Sequence, residues 1–271
     1  MIGVFTVVTT VLQQKLSYQQ REQDKEDARL FRQQSERQAD NLRIETVFDN
    51  YVNDVSELLT VKNQTQNLVH IRTKTLPSLR QLDAERKQHL FLFLYESGLI
   101  YHHHMKPISS LLRVNYANFN DIFFKGTIEI QCSFPRLYLH EVYLSNSSFI
   151  DCYIDRANFS NAIMYKATFF NTLIIRSSFK FALLVKANFS NSKLATMDFS
   201  AASLVESVFT GALWKEGNVN FANTNLTGAI ISNEQLHNST LYNCILPNGT
   251  WGLIYTKNLV VNGDVEQNVS M

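Results

Sequence analysis

The sequence predicts a mainly β chain with a helical N-terminal part: a square coil of short parallel strands, preceded by a long helix and a short helical cap. Three observations carry this. Counting in fives from Phe119 to Trp214, nineteen of twenty positions are large and apolar, Glu129 being the exception. In a chain that is 45% hydrophobic, chance gives such a count roughly once in 10^5 to 10^6 frames. The residue two places earlier is mostly small, as at Ala157, Ala162, Thr172, Ser177 and Ala187. Residues 13–60, by contrast, show a helical pattern, charged and polar at first and then striped with apolar residues.

Residues 1–12 carry no charge. A full membrane span needs about 18–20 such residues, and no basic segment precedes the run, so a signal peptide fits poorly. The run reads as the end of a transmembrane helix that begins further upstream, which makes the chain membrane-associated through a single N-terminal anchor. The alternative is a short buried or frayed terminus. Residues 13–60 follow as a polar to amphipathic helix, a solvated stalk whose end bears a stripe of Ile44, Val47, Phe48, Tyr51, Val52, Val55, Leu58 and Leu59. Residues 61–108 form a helical cap region, with helices over 68–76 and 77–100 and breaks at Thr75-Leu76-Pro77 and at Gly98. The coil occupies 109–248, and 249–271 is a C-terminal cap and tail.

A helix repeats near 3.6 residues and a plain strand at 2, so a period of five is neither. Two inward residues spaced by two make a short strand, and the three-residue step to the next pair turns a corner. Four corners near 90° close a coil of 20 residues, and successive coils stack as parallel strands about 4.8 Å apart. Sorting by 20 puts Phe119, Leu139, Phe159, Phe179 and Phe199 on a first wall and Phe124, Leu144, Met164, Leu184 and Leu204 on a second. Phe149, Phe169, Phe189 and Phe209 make a third, and Phe134, Ile154, Ile174, Leu194 and Trp214 a fourth. Each buried side chain contributes about 1.5–3 kcal/mol, which gives a continuous core.

Two departures interrupt the count. From Trp214 to Phe221 is seven residues, a two-residue insertion at one corner, after which Phe221, Leu226, Ile231, Leu236, Leu241 and Leu246 resume it. Glu129 would place a lone carboxylate in the core at a cost of several kcal/mol. A bulge that turns Ile128 or Ile130 inward is expected there. At the far end, Pro247-Asn248-Gly249-Thr250 is a turn and Trp251 a large aromatic lid over the last coil.

The units Ala157-Asn158-Phe159-Ser160-Asn161 and Ala187-Asn188-Phe189-Ser190-Asn191, with Ala117-Asn118-Phe119-Asn120-Asp121 close behind, resemble the pentapeptide-repeat family. Its consensus runs small, Asn/Asp, Leu/Phe, Ser/Thr, any. The resemblance covers about residues 112–248 and implies a right-handed quadrilateral β-helix. Residues 71–100 resemble a segment found before the repeats in membrane-tethered members. Residues 258–266 resemble the opening strand of galactose-binding-like jelly-roll domains.

No catalytic or cofactor-binding pattern is present: no GxSxG, P-loop, GxGxxG or HExxH. The chain therefore reads as a non-enzyme with no cofactor and no metal. His102-His103-His104 is the obvious metal suspect, but adjacent side chains diverge and no acidic or thiol ligand lies close in sequence. Cys132, Cys152 and Cys244 fall at the small inward position and read as core cysteines rather than as a disulfide or metal site. Sequons such as Asn158-Phe-Ser largely restate the repeat, which leaves Asn63 and Asn248 as the better glycosylation candidates.

Two surface columns follow from the winding. Phe123, Tyr143, Ile163 and Leu183 stack outward on the second wall with Tyr165, Val185 and Val205 beside them, whereas the first wall is polar outside. Such an apolar wall marks a contact, either with the chain's own helices or with a protein partner or second copy. Arg136, Arg156 and Arg176 stack along one corner; an anion would relieve their repulsion, as would Asp151, Asp155 or Glu141. The function these features support is an interaction scaffold tethered near a membrane. One alternative is a carbohydrate- or surface-binding protein with a lectin-like domain after residue 258. Another is a DNA mimic that inhibits topoisomerases, as some members of the resembling family are. The net charge of +1 and the stacked arginines argue against that mimicry and against a nucleic-acid partner.

Overall fold

The structure, a computed structural model, describes residues 2–60, 64–102, 111–127, 132–215 and 219–252, with side chains from 13 and 67 onward in the first two helices. It is a quadrilateral β-helix of about five turns preceded by a long helix, α1 (Ile2–Thr60), and by α2 (Gln64–Gln81) and α3 (Ala84–Glu96). Contacts divide the chain into two units, 1–49 and 50–271.

In the first unit the side chains of 13–43 are exposed, and the ion pairs Glu22–Lys25 and Asp40–Arg43 lie within the helix. Among the described residues no helix is long and apolar enough to cross a membrane, and the side chains of 1–12 lie outside them.

In the second unit the end of α1 packs against α2. Tyr51 and Val55 are buried, the Tyr51 hydroxyl hydrogen-bonds Thr75 at 2.8 Å, and Asn67 donates to the Leu58 carbonyl. Burial pushes the Tyr51 phenol well above its ordinary pKa, outweighing the bond to Thr75. Leu59, expected in the stripe, stays 43% exposed. Pro77 does not break the helix: α2 runs through it to Gln81. An interior proline costs about 3 kcal/mol, and complete burial of Ile71, Thr75 and Leu79 on both sides of it offsets this. The break comes at Asp83, whose carboxylate accepts from the Arg86 amide and pairs with its guanidinium, an N-cap for α3. Gly98, at φ 72, ends α3 as expected, with its amide bonded to the Tyr95 carbonyl.

Among the described residues the coil has nine short strands: β1 (Phe123–Lys125), β2 (Cys132–Pro135), β3 (Ser148–Ile150), β4 (Cys152–Asp155), β5 (Leu173–Ile175), β6 (Lys193–Ala195), β7 (Met197–Asp198), β8 (Val219–Asn220) and β9 (Ser239–Thr240). All pair in parallel, as β1-β3, β2-β4-β5-β6 and β7-β8-β9. Corners explain the unit length. Phe159 to Ala162 is a turn closed by the Ala162 amide on the Phe159 carbonyl, with Asn161 left-handed at φ 58. That is a type II turn. Left-handed residues recur every fifth position from Arg136 to Glu206. The consensus Asn is explained too: Asn158 and Asn188 accept from the amides of Ser160 and Ser190 and so brace the corner.

Inside, the phenylalanines stack as the count predicts. Rings of Phe159, Phe179 and Phe199 follow at 4.9 and 5.1 Å, and those of Phe149, Phe169, Phe189 and Phe209 at 5.4, 5.0 and 5.1 Å. The two columns meet edge to face, as in Phe169–Phe179, the favoured arrangement for ring quadrupoles. Phe221 returns to the first column, 5.6 Å from Phe199.

The first coil departs from the count. Asn118 bridges Tyr143, and Phe124 lies over Phe149, so spacings of 25 replace 20 there. Phe119 therefore heads the second wall and Phe124 the third, one wall on from their expected places. Ten residues separate Phe124 from Phe134, which heads the fourth wall over Ile154. Phe124 and Phe134 thus head adjacent walls although their positions are ten residues apart, and burying Glu129 in the core would cost several kcal/mol. The bulge expected at Ile128 or Ile130 lies outside the described residues. At this corner the backbone carbonyl of Asp151 occupies the space a Cβ on Gly126 would need.

A helical residue closes the first coil. The Phe91 ring of α3 sits 5.5, 5.1 and 5.6 Å from Phe119, Phe124 and Phe134, plugging the first coil. Tyr101 bridges Leu137 antiparallel, covering one strand edge. At the other end Leu236, expected inward, belongs to a one-turn helix, α4 (Asn233–His237), with a Ser232–Gln235 capping box. The turn after Pro247 forms, and Trp251 bridges Ile245 antiparallel. Its side chain is 66% exposed, however, so it is not an inward lid.

Candidate interaction surface

Tyr143, Ile163 and Leu183 do stack, bridged in sequence and continued by Ser203 and Asn225. Tyr165, Val185 and Val205 stand beside them at the next outward position. Phe123 does not join this column: it pairs with Ser148 on the third wall, displaced by the 25-residue first coil, and its amide donates to Gln88 of α3. The helices of the second unit do not bury the remaining six. Leu183 is 48% and Tyr165 39% exposed, and the others are half-buried against their strand neighbours.

Sequence reasoning missed Phe181. It lies at the corner leading to Leu183, where the repeat elsewhere places Asn161, and it is 58% exposed at φ 58. A bulky residue in the left-handed region carries strain, and its ring gains little burial in return. The signal was available: Phe181 is two residues past Phe179, at the corner position. The corner on the far side of this wall is charged. Lys186 pairs with Glu206 at 3.2 Å, a bond that raises the lysine pKa, and Lys166 lies 5.2 Å from the Tyr165 ring centre.

The arginine corner forms as expected. Pro135, Asp155 and Ile175 are vertical neighbours, and Arg136, Arg156 and Arg176 follow them, all left-handed. Asp155, 6% exposed, bridges two of them: Arg176 reaches it with Nε at 2.8 Å and Nη2 at 2.7 Å, and Arg156 with Nη1 at 3.2 Å. The column is thus partly neutralised from within.

The cysteines correct another expectation. Cys132 and Cys152, vertical neighbours with Cα atoms 4.6 Å apart, form a disulfide. Their position in the repeat alone predicts core thiols, but the 20-residue coil puts the two side chains at bonding distance. Cys244 remains a buried free thiol whose pKa burial raises. His102 hydrogen-bonds the Arg136 carbonyl through its amide, while His103 and His104 lie outside the described residues. Among the described residues no three His, Cys, Asp or Glu are grouped to hold a metal.

A square parallel solenoid with an exposed apolar column on its second wall defines a repeat protein of the surface-presenting kind. Residues 138–173 match the pentapeptide repeats, in eight copies. That match identifies this stretch of the coil as pentapeptide repeats. No curated protein matches it. Among solved structures, trypsin-treated QnrB1, a plasmid-mediated fluoroquinolone resistance protein, is 16% identical over 49% of this chain and 74% of its own, with a TM-score of 0.35. A pentapeptide repeat protein of the Arabidopsis thaliana thylakoid lumen is 22% identical over 38% and 68%, with a TM-score of 0.25. HetL of the cyanobacterium Nostoc, involved in heterocyst differentiation regulation, is 14% identical over 50% and 91%, with a TM-score of 0.15.

Proposed function

We propose that this chain is a non-enzymatic scaffold that binds a protein partner through its second wall and is held near a membrane by its N-terminal segment. The carrying observation is Phe181: a strained, exposed aromatic next to Leu183, where an asparagine would relax the corner. Tyr165 and Val185 widen the same stripe, and a polar continuation at Ser203 and Asn225 limits it. The uncharged run 1–12 and the exposed helix after it support a tether and a stalk.

The test pairs Phe181→Asn with Leu183→Glu in the full chain. Sedimentation velocity and proximity labelling in cells compare the variant with wild type. The reading expects loss of specific labelled proteins, or of self-association if the partner is a second copy. An unchanged labelled set together with unchanged sedimentation overturns it. Tethering is tested separately: recovery of the full chain in the soluble fraction without detergent overturns that part alone.

A further inference from the structure

We infer that the junction between α2 and the first coil is a binding site for an amphiphilic oxyanion, a phosphate or carboxylate head on an apolar body. Two adjoining cavities of about 500 and 630 Å³ open there, and Arg72 and Arg113 line both. Arg80 lines the second, completing three guanidiniums around one groove. Their volumes lie in the range of small-molecule sites.

The charge is uncompensated. Among the described residues none of the three forms an ion pair. The one acidic lining residue, Glu141, is already engaged: it accepts from Asn115 Nδ2 at 2.7 Å and lies 3.2 Å from His140 Nε2. This distinguishes the groove from the arginine corner, where Asp155 supplies the counter-charge.

Arg72 is decisive. Its Nε is buried and has no hydrogen-bond partner, the one such side-chain atom among the described residues. A buried donor left unmet is destabilising, and guanidinium presents its donors in a planar fork suited to phosphate or carboxylate oxygens. An oxyanion seated beside Arg72 lies against its guanidinium, and a small shift of that side chain brings the unmet Nε to it. Leu76 and Leu111, with the exposed Val69, line the same space and give an alkyl body somewhere to lie.

Calorimetric titration of the full chain with inorganic phosphate and with decyl phosphate tests this, alongside flotation with vesicles containing phosphatidic acid. Decyl phosphate is expected to bind, and more tightly than phosphate. Arg113→Gln, at an exposed position, and Arg72→Met are each expected to weaken binding about tenfold or more. The ligand-free melting temperature of Arg72→Met should be unchanged or higher, since an unmet donor is removed; a merely structural arginine would lower it. Arginine-dependent binding to soluble decyl phosphate assigns a free amphiphile, and arginine-dependent binding to vesicles alone assigns a lipid headgroup; both uphold the site. Absence of binding to all three probes, or equal affinity in both variants and wild type, overturns it.

Discussion

The ring of Phe91 meets that of Phe119 edge-on, with centroids 5.5 Å apart and planes at 88°. A helical residue thus fills the place that one more coil would take. Phe91→Ala leaves that end hollow and should cost about 3–5 kcal/mol. Chemical denaturation measures the loss. Light scattering should rise as well, because a strand edge loses its cover.

Cys132 and Cys152 close a loop of 20 residues. Such a cross-link stabilises by about 3 kcal/mol, chiefly by restricting the unfolded chain. Reductant should therefore lower the wild-type midpoint to that of the Cys132→Ala, Cys152→Ala double variant, whose own midpoint should not respond. Cys244 does not complicate the comparison, since burial keeps its thiol protonated.

Asp155→Asn removes the carboxylate shared by Arg156 and Arg176. The arginines are nearly half exposed, so solvent screens part of the loss, and we expect about 1–3 kcal/mol. Arg156 and Arg176 then lose the carboxylate that neutralises them. Sulfate should restore stability to the variant more than to wild type, read from melting curves in sulfate and chloride at matched ionic strength.

Asp198 tests the repeat's Asn/Asp choice. Burial pushes its carboxyl up, but hydrogen bonds from Ser200 and the ammonium of Lys180 at 3.0 Å outweigh this and hold its pKa below the ordinary value. A depressed folded-state pKa gives stability above the unfolded pKa, near 4, that is lost as pH falls through the folded value. Asp198→Asn keeps the bond to the Ser200 amide, as Asn158 does with Ser160. The variant should fold normally, and any advantage of wild type at neutral pH should vanish in acid. A stability difference that does not change between pH 7 and pH 2 would contradict the assignment.

Most of the coil is legible from Phe134 onward, because the large residue and the small one before it obey one spacing and each wall repeats its chemistry. The stacking of Phe159 on Phe179 and of Arg156 on Arg176 follows from counting alone. Placement failed where composition and register part company. Nothing local says whether the unit around Glu129 lengthens a corner or makes a bulge, and that choice moved Phe123 to another wall. Leu236 has the right spacing for the core, yet Ser232 and Gln235 cap a helix turn there instead. Pro77 signals a break that tertiary burial overrides. The groove at Arg72 was not legible at all, since it joins residues from α2 with others some forty to seventy positions later.

The twenty-five-residue first coil has one more implication. A winding that kept strict count would set Phe119 above Leu139 and turn the whole helical plug a quarter revolution around the solenoid axis. That rival differs from the observed arrangement by a single quintet, and both satisfy the phenylalanines. What separates them is the acidic side chain in that quintet, which the rival would have to swallow. The register on either side of that quintet thus decides between two near-equivalent rotations, and with them which walls Phe119 and Phe124 head.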